Sequence, residues 1–85
     1  MPSEGEKMNV KKIGRFIEAR RHALGMTQRE LASRLFISAK SVSKWETGRG
    51  MPDVSLLLEL CEILQVTVEE LLHGELEKSS KNAKY

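Results

Sequence analysis

Eighty-five residues, 40% hydrophobic and 31% charged, describe one small soluble domain with an aliphatic core, since aromatics make up only 5%. No apolar run exceeds three residues, so neither a membrane-spanning helix nor a secretory leader is expected, and the single cysteine, Cys61, excludes an intrachain disulfide and fits a reducing, cytoplasmic setting. The formal charge of +2 is uneven: residues 1–50 carry eleven Lys or Arg against five Asp or Glu, residues 51–85 three against seven, so one side is suited to face a polyanion.

Residues 1–8 lack periodicity and read as a disordered N-terminal arm. A first helix is expected from about Asn9 to Ala23. Val10, Ile13, Ile17 and Leu24 repeat at helical spacing with Phe16 beside them, Lys11, Lys12, Arg15 and Arg20 take the other faces, and Gly25 ends the helix. Arg21 falls near the apolar stripe, where a charge needs a partner.

Thr27 and Glu30 make a capping box for a second helix whose apolar stripe is Leu31, Ala32 and Leu35. Ser38 caps a third helix, about 38–48, which Gly48 closes. Val42 and Trp45, three apart, turn inward, and Trp45 reads as core rather than as a stacking platform. Ala39, Lys40, Ser43 and Lys44 share the outward side as a narrow ridge of small and basic side chains. Such a ridge fits a DNA major groove, where lysine can bond guanine O6 and N7.

The loop through Arg49, Gly50, Met51 and Pro52 precedes a fourth helix, capped by Asp53 and running from Val54 to about Leu64. Its inward stripe is Leu57, Leu60, Cys61 and Leu64, widened by Leu56 and Leu58; Cys61 there is a small hydrophobe, not a reactive thiol. Thr67 and Glu70 form a second capping box for a fifth helix, with Val68, Leu71 and Leu72 inward and Gly74 at its end. Residues 75–85 read as a mobile tail. The fold class is all-α, a compact five-helix domain over residues 9–74.

The run TQRELA, then S-x-x-S-V-S-K-W-E-T-G, then MPD and a leucine-rich helix, resembles the Cro/repressor-type (XRE-like) helix-turn-helix family over roughly Val10 to Gly74. The resemblance implies a lambda-repressor-like fold and a bacterial or phage regulator of transcription, a repressor in the first instance, that binds double-stranded DNA in sequence-specific fashion with the third helix in the major groove. It implies base recognition by Ala39, Lys40 and Lys44, a phosphate contact by Gln28 at the start of the second helix, and an ion pair between Arg21 and Glu46. Phe36 departs from it, standing where the family often has a glycine in the turn; a non-glycine residue with positive φ is strained.

The residues add detail. Ser43 joins the base-reading ridge. Free N–H groups at the second helix's start favour an anion; Ser41, Thr47 and Arg49 flank the third helix as phosphate contacts, and Arg29 is a weaker candidate. With no Gln, Asn or Arg on the ridge, DNA shape contributes to specificity. Palindromic operators call for a homodimer, one that forms on DNA if it is weak alone, through the fifth helix, the tail, or exposed leucines such as Leu56 or Leu76. No enzyme is expected. His22 and His73 lie far apart, and there is no nucleophile elbow, metal-ligand spacing or phosphate-binding glycine loop, hence no cofactor or metal. The competing reading is a protein-interaction or antitoxin-type module on the same fold. Salt separates the two, because phosphate contacts weaken steeply with ionic strength and apolar docking does not.

Overall fold

Each helix start is fixed locally, by a side-chain oxygen that accepts one of the amide hydrogens a helix leaves free. Asn9 accepts from Lys12 N, Thr27 from Glu30 N, Ser38 from Ser41 N, Asp53 from Ser55 N and Thr67 from Glu70 N. The computed structural model describes residues 9–77. Among these it has α1 (Val10–Ala23), α2 (Gln28–Leu35), α3 (Ala39–Glu46), α4 (Val54–Leu64) and α5 (Val68–His73), and no strand. The expected arm, residues 1–8, and residues 78–85 of the expected tail lie outside the described residues.

Both capping boxes are complete, with Glu30 accepting from Thr27 N at 2.8 Å and Glu70 from Thr67 N at 2.9 Å. Glu70 also accepts the amide hydrogen of Glu77 at 3.0 Å, so the first residues placed in the tail are tied to α5. Those amides, Glu77 first, hold the Glu70 carboxyl below the usual carboxylate range. A depressed folded-state value means that the contribution is present at neutral pH and lost as acid protonates the carboxylate.

Helix ends divide by residue type. Gly25, Gly48 and Gly74 take positive φ, as glycine does without penalty, but so do Phe36 (φ 58°) and Gln65 (φ 61°). Phe36 closes α2 in the left-handed region with 88% of its surface exposed, so no packing offsets a strain of roughly 1–2 kcal/mol. The turn keeps the backbone shape glycine would supply, and the phenylalanine is tolerated.

The core joins Ile13, Phe16 and Ile17 of α1, Leu31, Ala32 and Leu35 of α2, Val42 and Trp45 of α3, Leu60, Cys61 and Leu64 of α4, and Leu71 of α5. Seven large side chains are less than 2% exposed. At about 1.5–3 kcal/mol each against about 1 kcal/mol per cap, burial holds the fold and the caps set where the helices begin. Burial also pushes the Cys61 thiol up, away from reactive thiolate. Met26, in the loop before α2, is buried as well, a core position that the helical periodicity does not reveal.

The leucine-rich fourth helix corrects the sequence reading. Leu60, Cys61 and Leu64 are buried and Leu56 and Leu57 half-buried, but Leu58 is 71% exposed and Val54 80%. A helix one core wide buries only an arc, and α4 has more apolar residues than that arc holds. Leu72 and Val68 of α5 are likewise only half-buried beside Leu71.

Two tertiary devices hold α1 against α3 and α4. Gly14 of α1 is buried against α3: a Cβ there would overlap the Trp45 carbonyl oxygen and lie 3.1 Å from Trp45 C and 3.2 Å from Glu46 C. At the far end of α1, Arg20 donates from Nε (3.2 Å) and a terminal nitrogen (3.0 Å) to the Leu64 carbonyl, satisfying an acceptor that the end of α4 leaves open. Arg20 therefore serves as a brace between α1 and α4 rather than as a solvated charge.

Candidate nucleic-acid interface

The inner face of α3 is anchored by Val42, Trp45 and Glu46, all buried. Its other face is therefore held outward by packing. On it Lys40 and Lys44 are exposed, with Ser41 and Ser43 half-buried. Lys40, Ser41, Ser43 and Lys44 line one open concavity of about 410 Å³ together with Ser38 and Arg49. Among the described residues none of its three cations forms an ion pair, since the two salt bridges present are Lys12–Glu75 and Arg21–Glu46. Three unpaired cations and three hydroxyls on one surface make a site for a polyanion.

The other expected contacts fall elsewhere. Ala39 is half-buried and packs against the core. It lies three residues before Val42 and four before Ser43, on the border between the inner stripe and the ridge. Arg29 is exposed on α2. The Thr47 hydroxyl donates to the Ser43 and Lys44 carbonyls at 2.9 and 3.2 Å, so its single hydrogen is engaged at the end of α3. Ser38, foreseen only as a cap, also lines the concavity; its place beside Ser41, one turn on, is the signal that it shares the face.

Arg21 and Glu46 meet inside the domain. Arg21 Nε donates to Glu46 Oε2 at 2.7 Å and a terminal nitrogen donates to Oε1 at 3.0 Å, a two-pronged pair in which the residues are 6% and 7% exposed. The bonded carboxylate raises the Arg21 pKa above its ordinary value. The remaining terminal nitrogen of Arg21 donates to the Met26 carbonyl at 2.9 Å. Gln28, the first residue of α2, donates from Nε2 to Glu46 Oε1 at 2.8 Å. One carboxylate at the end of α3 thus holds α1 and the start of α2, while Arg21 holds the loop between them, and no buried side-chain polar atom among the described residues lacks a partner.

The sequence matches the helix-turn-helix family model over residues 17–71. The chain belongs to this family. Its helix-turn-helix is α2, the turn at Phe36 and Ile37, and α3. The DicA regulator of Escherichia coli is 42% identical over 66 residues, 78% of this chain and 49% of that protein. The BcrR activator of Enterococcus faecalis is 42% identical over 50 residues, 59% of this chain and 24% of that protein. Among solved structures, the P22 c2 repressor in complex with a synthetic operator superposes with a TM-score of 0.70 at 33% identity, over 74% of this chain and 96% of that one. The helix-turn-helix chain spans between 24% and 54% of the length of the curated relatives it matches. Hydroxypropylphosphonic acid epoxidase from S. wedmorenis, at 24% identity and a TM-score of 0.69 over 35% of that chain, is a likeness of fold alone. No helix among the described residues is long and apolar enough to cross a membrane.

Proposed function

We propose that the chain is a sequence-specific double-stranded DNA-binding regulator of transcription, with α3 in the major groove. The observation that carries the reading is the concavity on α3, lined by Ser38, Ser41 and Ser43 and by Lys40, Lys44 and Arg49, which form no ion pair among the described residues. Lys40, Ser43 and Lys44 read base edges, and Ala39 supplies a close apolar contact at the ridge's border. Gln28, Arg29, Ser41 and Arg49 hold phosphates, with Thr47 joining them only if its hydroxyl leaves the α3 carbonyls. The mode is repression by occupancy, which needs no surface beyond the one that holds DNA. The place of action is the cytoplasm, and no catalytic step is assigned.

Two copies act as a homodimer on a palindromic operator, with equivalent helices one DNA turn apart. Exposed Val54 and Leu58, one turn apart on α4, together with Leu76, support this reading by offering apolar surface that the described residues leave uncovered. The same surface favours the second reading, a protein-interaction module. Its binding would persist at high salt, where phosphate-held DNA is released.

Lys40→Ala and Lys44→Ala are each expected to weaken binding to the preferred duplex by about 1–3 kcal/mol and to relax preference at one or two base pairs. Arg49→Ala is expected to weaken all duplexes alike and to reduce the salt slope by about 1. Titration of each variant against specific and scrambled duplexes at several salt concentrations checks this. Equal losses on both duplexes for every variant would remove the base-reading assignment.

A further inference from the structure

We infer that Glu46, besides pairing with Arg21, is a positioning residue that aims the Gln28 side chain at the DNA backbone. The inference rests on the DNA-binding reading and deepens it. Gln28 Nε2 lies 2.8 Å from Glu46 Oε1, and that oxygen is already bonded by Arg21 at 3.0 Å. A carboxylate only accepts, so it dictates which end of the Gln28 amide faces inward. The nitrogen turns to Glu46, and among the described residues the second Nε2 hydrogen, at the start of α2, has no acceptor.

The carboxylate is itself immobile. Glu46 is buried, both its oxygens are bonded by Arg21, and Arg21 is anchored in turn on the Met26 carbonyl in the loop that leads to Thr27 and Gln28. The chain of bonds runs from α1 through the end of α3 to the first residue of α2. It ties the group that holds a phosphate to the helix that reads bases, so that a shift of one relative to the other must break the part-buried Gln28–Glu46 bond. A side chain fixed before binding loses less rotamer freedom when it meets the phosphate.

A double-mutant cycle on the full chain tests this, with Gln28→Ala, Glu46→Gln and the double variant titrated against the selected duplex at one salt concentration. The temperature is one at which circular dichroism shows every variant folded. An amide at position 46 cannot accept from both Arg21 and Gln28 without turning a donor toward one of them. Each single variant is therefore expected to lose about tenfold in affinity, as for a hydrogen bond to a charged group, and the double variant no more than the larger single loss. Losses that multiply in the double variant would overturn the inference. So would a Gln28→Ala variant that binds like the parent; the parent's own specific binding would then leave the DNA-binding reading standing. If Glu46→Gln does not fold, the side-chain amide of Gln28 is followed by NMR in the unaltered protein. One slowly exchanging Nε2 hydrogen is expected, and rapid exchange of both would overturn the inference.

Discussion

Arg21→Met is expected to destabilise the domain by about 3–5 kcal/mol, the range for removing one partner of a buried ion pair. Such a loss takes a large share of the 5–15 kcal/mol typical of a whole domain. The variant keeps an unbranched side chain of similar reach but leaves the Glu46 carboxylate, 7% exposed, with Gln28 as its remaining donor. It also strips the Met26 carbonyl of the donor it holds at 2.9 Å. Urea denaturation followed by Trp45 fluorescence measures the loss, because Trp45 precedes Glu46 and is buried on the same helix. Arg21→Met/Glu46→Leu should regain part of the stability, since no buried charge is then left alone. The regain stays partial because the Met26 carbonyl is still without its donor. A single variant within about 0.5 kcal/mol of the parent, the range of ordinary surface substitutions, would show that the pair is solvated in solution.

Gly14→Ala is the second large effect, and it acts through the backbone. Alanine is the better helix former by about 1 kcal/mol, so on an open helix face the change would stabilise. Here the added carbon would overlap the Trp45 carbonyl oxygen and crowd Trp45 C and Glu46 C at 3.1 and 3.2 Å. Those atoms are main chain of α3 and have no rotamer to change, so α1 and α3 must separate. Overpacking costs about 1–3 kcal/mol and occasionally more, and the full cost must also cancel the propensity gain. A net loss of about 2 kcal/mol or more in thermal or urea unfolding is expected. DNA affinity should fall with it, since α3 carries both the ridge and Glu46. A variant as stable as the parent would mean that the helices pack less closely than described.

Of these two positions the sequence announces Arg21, a charge beside an apolar stripe, and not Gly14. Thr27 with Glu30, Thr67 with Glu70, and Ser38 and Asp53 declare helix starts because donor and acceptor lie within one turn. Trp45 and Val42 declare a core face because a helix repeats. Gly14 declares nothing, since a glycine within a helical pattern carries no mark of the helix that will lie against it. Arg20 and Gln28 read as exposed polar residues because their acceptors, the Leu64 carbonyl and Glu46, are distant in the chain. Leu58 reads as inward because α4 offers more leucines than its buried arc can use. Ala39, on the border of the inner stripe and the ridge, fits either by spacing alone. At the interface, the facing of Lys40, Ser43 and Lys44 follows from helix geometry alone. That Ser38 and Arg49 join them in one concavity depends on how the chain turns at both ends of α3.

The α3 concavity is proposed to take DNA and read it. Selection of the preferred duplex from a random pool, followed by titration of that duplex across salt concentrations, tests it most directly. A palindromic consensus is expected, with log affinity falling linearly and steeply against log salt in proportion to the phosphates held. Binding that shows no sequence preference, or that barely responds to salt, would contradict it.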